Sequence, residues 1–283
     1  LKAENNQQSY LDYASMSFYI NGRQGPNDPK PTFFIRIGTD QNNFYEYSMP
    51  VDTGWVPVTV PFDGFMALKD SLQGALTLKE IQSFKLDVKS GPYRIKGNPS
   101  LTKISIMAVG VANETSDIPI SGTVWVDDVL LSDVIREFGL NSRLQVEAQF
   151  SDLGRLSFSV SARDNKFRNL NESIPRNSSF DYMIGGSLNI DRFAPEDWGI
   201  RLPVNIRKSF RQNLPRFHPG SEDVTIRLPE NKEANKTETT THSLSLSFSK
   251  TRGESLLSRF IFNNLTGTIS YNSSRTIAPK SLN

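Results

Sequence analysis

Acid–base or metal chemistry would have to run through very few groups in this chain. It has two histidines, His218 and His242, both in or beside a polar, Pro- and Asn-containing stretch. A nucleophile–imidazole–acid relay needs an imidazole held beside the nucleophile and oriented by a third group, so a solvated loop position is the preferred reading of each. A count of two imidazoles argues against a His-based metal site, and the absence of cysteine removes thiolate ligands, cysteine nucleophiles and disulfides together. Asp127-Asp128 could offer carboxylate oxygens to calcium, but an acidic pair at a strand end reads more simply as solvated surface. No Gly-rich phosphate loop or Walker pattern occurs. These absences point to a protein without cofactor or metal that is not an enzyme. Trp55, Trp125 and the pair Tyr45/Tyr47 could form a sugar platform; burial is preferred, because aromatic side chains supply large buried area. Arg201, Arg207, Lys208, Arg211 and Arg216 form a basic cluster, suited to lining a wet channel or meeting anionic lipid, against a plain solvated strand face. With 32 basic and 30 acidic residues the net charge is +2, which gives no field directed at nucleic acid.

The elements that carry these residues fall into two kinds. Residues 1–138 read as a β-domain, with strands expected at Ser15–Asn21, Pro31–Thr39, Phe44–Pro50, Val56–Pro61, Ser83–Val88, Lys103–Val111 and Gly122–Leu131. They are short, rich in β-branched and aromatic residues, and punctuated by Gly25-Pro26, Asp52-Thr53-Gly54 and Gly91-Pro92. Helix-like spacing occurs at Gly64–Glu80, through Phe65, Leu68, Leu72 and Leu76. Strands at this spacing predict a jelly-roll-like β-sandwich.

Residues 139–283 change grammar, and charge: Lys/Arg minus Asp/Glu is 12 − 16 = −4 through Phe138 and 20 − 14 = +6 after it. Side chains alternate faces along a strand, and here the alternation is long and strict. Leu144, Val146, Ala148 and Phe150 oppose Arg143, Gln145, Glu147 and Gln149; Leu156, Phe158, Val160 and Ala162 oppose Arg155, Ser157, Ser159 and Ser161. Tyr182, Ile184, Gly186, Leu188 and Ile190 share a face, and after a short turn at Ala194–Asp197 so do Trp198, Ile200, Leu202, Val204 and Ile206. Runs around Leu244–Phe248 and Leu265–Tyr271 repeat the pattern, separated by a long polar loop at 213–241. The expected strands Ser179–Phe193 and Trp198–Phe210 reach the ~9–11 residues a membrane strand needs. The wet face is mostly Ser, Thr, Asn, Gln and Arg, and Phe180, Tyr182, Phe193, Trp198 and Phe210 gather at strand ends, as in barrel girdles. On that reading Ile184, Leu188, Ile190, Ile200, Leu202 and Val204 face lipid, while Ser187, Asn189, Arg201, Asn205 and Arg207 face a lumen. A soluble sheet with one solvated face gives the same alternation. No apolar run approaches ~20 residues, so a transmembrane helix is not expected.

Several segments carry a resemblance. Phe193-Ala-Pro-Glu-Asp-Trp-Gly-Ile-Arg-Leu-Pro203 resembles the Phe-x-Pro-Glu-x-Trp-Gly-Ile-x-Ile-Pro motif of the SprA (Sov) family, the outer-membrane translocon of bacterial type IX secretion. Its motif residues here are Phe193, Pro195, Glu196, Trp198 and Gly199. Asn43-Phe-Tyr-Glu-Tyr-Ser-Met-Pro50, Tyr93-Arg-Ile-Lys-Gly-Asn-Pro-Ser100 and Gly122-Thr-Val-Trp-Val-Asp-Asp-Val-Leu-Leu131 are similar to further family segments in family order, as is Thr239–Lys250 followed by Phe262-Asn-Asn-Leu265. Asn263 and Asp127-Asp128 depart from the family pattern. The resemblance implies an all-β chain in which a jelly-roll-like domain (1–138) is inserted in a very large outer-membrane β-barrel (139–283). It implies passage of folded cargo proteins, a link to gliding motility, and a shuttle porin and periplasmic plug as partners besides membrane lipid. Five or six strands fall short of the ~8 of the smallest bacterial barrels, so the chain is expected to supply a piece of a wall. The competing expectation is a secreted carbohydrate-binding β-sandwich protein.

Overall fold

The computed structural model describes residues 2–24, 30–75, 86–113, 121–169, 172, 175, 177–226, 234–250 and 265–279. The chain separates into two compact units. The first holds residues 1–136 and 217–225, the second residues 137–216 and 226–281.

In the first unit, a six-stranded antiparallel sheet has the order β1 (Lys2–Gln8), β8 (Ile104–Ala112), β3 (Thr32–Asp40), β4 (Asn43–Pro50), β7 (Tyr93–Lys96), β6 (Asp87–Ser90). A three-stranded sheet, β5 (Gly54–Pro61), β2 (Tyr13–Gln24), β9 (Gly122–Val134), completes a sandwich. Alternation decides which side faces inward. Met16, Phe18 and Ile20 of β2, Val58 and Val60 of β5, and Phe33, Ile35 and Ile37 of β3 form one core cluster, with the Phe18 and Phe33 rings 5.6 Å apart. Helix α1 (Phe62–Ala75) begins directly after β5 with Asp63 in its first turn, where a carboxylate favours the helix dipole. Its Phe62, Phe65 and Met66 join the same core. Gly64 lets it press close, since a Cβ there would stand 2.2 Å from the Tyr93 ring.

This unit has strands that the alternation did not predict. β7 carries Arg94 and Lys96 beside Tyr93 and Ile95, and it is four residues long; β1 is polar except at Ala3 and pairs only with β8 among the described strands. The expected strand at Ser83–Val88 appears as β6, Asp87–Ser90, with 83–85 outside the described residues, as are 76–80 of the expected helix.

In the second unit, β10 (Asn141–Phe150), β11 (Gly154–Arg163), β12 (Asn177–Asn189), β14 (Pro203–Pro215), β15 (Thr237–Lys250) and β16 (Leu265–Ile277) form one open antiparallel meander. A two-residue strand, β13 (Ile200–Arg201), continues the line of β14 along β15: Val204↔Leu246 and Arg201↔Ser249 keep the same register. No barrel closes among the described residues, and β10 and β16 are free edges. The strands differ from expectation at two ends. β12 stops at Asn189, so Ile190–Phe193 is a 3-10 turn. The polar loop expected across 213–241 begins after Pro215 and ends at Thr237, and its residues 217–225 belong to the first unit.

Candidate functional site

The sheet of the second unit has two chemically opposite faces, and the register aligns each across every strand. One transverse row reads Phe150, Gly154, Leu188, Val204, Leu246, Ile269; the next reads Ala148, Leu156, Gly186, Ile206, Leu244, Tyr271. On the opposite face one row reads Gln149, Arg155, Ser187, Asn205, Ser245, Ser270. Of the residues expected to face lipid, Ile184, Leu188 and Val204 lie on the apolar face. Ile200, paired with Lys250, shares it, Leu202 lies between β13 and β14, and Ile190 sits in the 3-10 turn. Of those expected to face a lumen, Ser187, Asn205 and Arg207 line one trough of about 520 Å³. Arg201 shares their face opposite Ser249, and Asn189 is tied by its side-chain amide to the Asp152 carbonyl at 2.7 Å.

The polar face is the concave one. The 520 Å³ trough draws lining residues from five neighbouring strand lines and β16, and a second trough of about 810 Å³ lies on the same side. Gly185 is buried there, and a Cβ on it would stand 2.8 Å from the Ser157 hydroxyl, so curvature already crowds this position. Among the described residues, three pairs of hydroxyls on this face meet across the β15–β16 ladder: Thr239–Thr276 at 3.2 Å, Thr241–Ser274 at 3.4 Å and Ser247–Thr268 at 3.4 Å.

The apolar face is exposed and slants. On β11 and β12 it runs to Ala162 and Phe180, near the end where β11 finishes and β12 starts. At the same end β15 and β16 are mostly polar, with Glu238, Thr240, Ser273 and Arg275 and only Ile277 apolar, and their other apolar residues run from Leu244 and Tyr271 in mid-strand to Phe248 and Leu265 at the other end. Phe180, Tyr182 and Phe210 cluster at the first end, the Tyr182 and Phe210 rings stacked at 5.4 Å. Ile269, at 73% exposure, shows how little covers this side.

The Arg192–Val204 segment is longer than a simple turn. Two 3-10 turns, Ile190–Phe193 and Glu196–Trp198, are joined through Ala194 and Pro195. Asp191 accepts a hydrogen bond from the Leu202 amide at 2.9 Å, and Arg192 pairs with Asp152 at 3.1 Å. Gly199 ends the second turn at φ 59°, ψ 28°, a left-handed conformation that a β-branched side chain resists. Phe193 and Trp198 are exposed. Gly199→Val is expected to lower stability by about 1–3 kcal/mol, read as a shift in the denaturant midpoint; Gly199→Asn should cost visibly less.

Other residues singled out from sequence are dispersed. The basic cluster splits: Arg201, Arg207 and Arg211 lie on the polar face and Lys208 on the apolar one. Arg211 pairs with Asp181 at 2.6 Å and Arg216 with Glu137 at 2.7 Å. His242 is a strand residue of β15 opposite Lys208, and His218 sits 3.4 Å from Asp70 within the first unit, so neither is the free loop histidine expected. No group of three or more metal-ligating side chains occurs among the described residues. The preference for buried tryptophans is overturned. Trp55 is 54% exposed and Trp125 46%, and both flank Asn21 in register on the outer face of the three-stranded sheet. The alternation of β5, with Val58 and Val60 inward, already carried that signal. Tyr45, by contrast, is fully buried.

Sequence reading missed a buried cluster around Tyr45. Lys69 of α1 and Asp223 are 3% and 2% exposed and 2.8 Å apart. The Lys69 ammonium also donates to the Pro99 carbonyl at 2.6 Å and the Tyr45 oxygen at 3.2 Å. Asp223 accepts from the Tyr45 hydroxyl at 2.6 Å, the Leu101 amide at 2.8 Å and the Ser221 hydroxyl at 2.9 Å. Burial pushes the Tyr45 pKa well above its ordinary value, and the Asp223 charge pushes the same way. Every donor and acceptor is used, as burial of an ion pair requires.

A family model for SprA_N, described as a motility related/secretion protein, matches residues 57–228. No curated protein matches the chain.

Proposed function

The chain belongs to the SprA_N family of motility-related secretion proteins, and from that premise we propose that its second unit is a stretch of outer-membrane barrel wall through which folded cargo proteins are secreted. The observation that carries the proposal is the slanted, uncovered apolar belt on the convex side of a sheet whose concave side is polar. A soluble sheet of this width would bury its apolar face, because soluble monomers rarely expose contiguous patches beyond a few hundred Å². A sandwich also has its polar face outward and convex; here the polarity is reversed. Membrane strands tilt by ~35–45°, so a belt parallel to the bilayer must cross the ladder obliquely. The belt does so, descending from Phe180 on β12 to Leu265 on β16, with Ile277 the one apolar residue of β16 that lies off it in the Phe180 row.

The sheet is open, and unpaired backbone groups in hydrocarbon cost several kcal/mol each. β10 and β16 therefore require further strands on both sides. The role proposed is non-enzymatic: the belt holds the wall in lipid and the polar side borders the cargo path. A shuttle porin and a periplasmic plug, the partners implied by the resemblance, belong to the same proposal.

Cysteine scanning in a cysteine-free background tests the reading, and these 283 residues need no replacement for it. Single cysteines at Asp181, Ser187 and Asn205 in the full-length protein in liposomes are expected to react with a water-soluble maleimide. Those at Tyr182, Leu188 and Ile206 are expected to react at least tenfold more slowly. Equal labelling at both sets would overturn the membrane reading.

The exposed Trp55–Asn21–Trp125 row favours a second reading for the first unit alone. Two indoles can stack on the C–H faces of sugars while an amide between them meets hydroxyls. Trp55→Ala and Trp125→Ala are then expected to abolish retention on a polysaccharide column with thermal unfolding unchanged. Unchanged retention would remove the glycan role.

A further inference from the structure

The first unit is not made only from the residues that precede β10. Its core includes Val224, and its sole described ion pair with both partners buried is completed by Asp223. Both come from residues 217–225, a strap lying in the connection between β14 and β15. The strap is a small loop in itself. Phe217 and Thr225 form an antiparallel bridge, the His218 amide donates to the Val224 carbonyl at 3.0 Å, and the Ser221 amide donates to the His218 carbonyl at 3.0 Å. On the sandwich it meets two separate elements: α1, through Lys69 and Asp70, and the 98–103 segment between β7 and β8. Contacts to the latter include Leu101 N–H to Asp223, Thr102 to Glu222 at 3.0 Å and Lys103 to Glu222 at 2.8 Å.

We propose that the strap is a keystone that makes closure of the sandwich conditional on the later strands of the chain. Residues 1–136 alone carry a socket made of the Lys69 ammonium, the Tyr45 hydroxyl and the Leu101 amide, aimed at one point deep in the core. Without Asp223 that socket holds an uncompensated buried cation, the costliest kind of unsatisfied group. The socket selects a carboxylate. Two donors reach Oδ2 and two reach Oδ1, so a side chain that is neutral or shorter leaves donors unanswered. The strap follows β14 directly, with Pro215 the last strand residue and Phe217 the first strap residue. The sandwich therefore matures only after β14 has been delivered, and α1, the 98–103 segment and the strap close as one unit. This depends on the chain's order and buried contacts and stands apart from the membrane reading.

Hydrogen exchange on the full-length protein tests it, using Asp223→Asn, which keeps the shape and removes the charge. The expected result is a tenfold or greater rise in exchange in three places together: the strap, α1 around Lys69, and the Leu101 region. Glu222→Gln, on the same strap but at its surface, is expected to change exchange less than twofold outside its immediate neighbours. Tyr45→Phe removes one hydrogen bond from Asp223 and keeps the charge pair, so a two- to fivefold rise at the same three places is expected, which preserves the test if Asp223→Asn does not fold. Faster exchange confined to the strap, or no change in any variant, would overturn the keystone role.

Discussion

Ile184→Arg and Leu188→Arg in the full-length protein are each expected to lower the stability of the membrane-inserted form by roughly 2–4 kcal/mol near the bilayer midplane, and so to deplete it from the outer membrane. Both replace exposed apolar residues on the convex side. Ile184 carries an added penalty, because Lys208 lies directly opposite it on β14 and like charges in that position repel. Lys208 itself can reach toward a headgroup along its aliphatic stem. Ser187→Arg is the control: it sits one residue from Leu188 on the concave side, beside Asn205 in the trough and opposite Arg155, so it faces a like charge as Ile184→Arg does, but in a water-filled trough where that repulsion is screened. Its level in the outer membrane should match the unmodified protein. If all three variants assemble equally, the apolar belt does not meet lipid.

Asp223→Ala is expected to destabilise the sandwich by about 3–5 kcal/mol, because it leaves Lys69 charged and alone in the core. The paired replacement Lys69→Met with Asp223→Leu should recover most of that loss, since a buried ion pair exchanged for packed apolar groups is often neutral or stabilising. The chain's tryptophans make the measurement selective. Trp55 and Trp125 report on the sandwich, and Trp198→Phe removes the one in the second unit. Denaturant curves followed by their fluorescence give the midpoints. A shift below about 1 kcal/mol for Asp223→Ala, typical of exposed pairs, would mean that water reaches the cluster.

These two effects differ in how they could be read beforehand. The belt was legible, because period-2 alternation from Leu144 to Tyr271 fixes which side chains share a face once strands pair. What alternation did not give was the curvature that makes the polar side concave, or the oblique course of the belt, since both depend on register between strands. The exposed tryptophans were legible too: in β9, Val124 and Val126 pack against the core while Trp125 points away. The preference for buried aromatics outweighed a parity that was already visible. The Lys69–Asp223 pair left no local trace. A lysine four residues after Phe65 in a helix and an aspartate in a polar loop both read as solvated, and 154 residues separate them. The turn at 190–199 was located correctly but drawn too short, because the Asp191 carboxylate reaching the Leu202 amide and the left-handed Gly199 are local geometry that composition does not display.

The hydroxyl pairs of the concave face bear on how easily a chain could slide past it. Thr239–Thr276, Thr241–Ser274 and Ser247–Thr268 occupy one another across adjacent strands. In each pair one hydroxyl hydrogen is already engaged by a neighbouring side chain, so a passing polypeptide competes for it, and the remaining lone pairs are held by water. On the proposed reading the wall is wettable yet offers little grip: a surface of low molecular friction, along which a folded domain could drift without pausing.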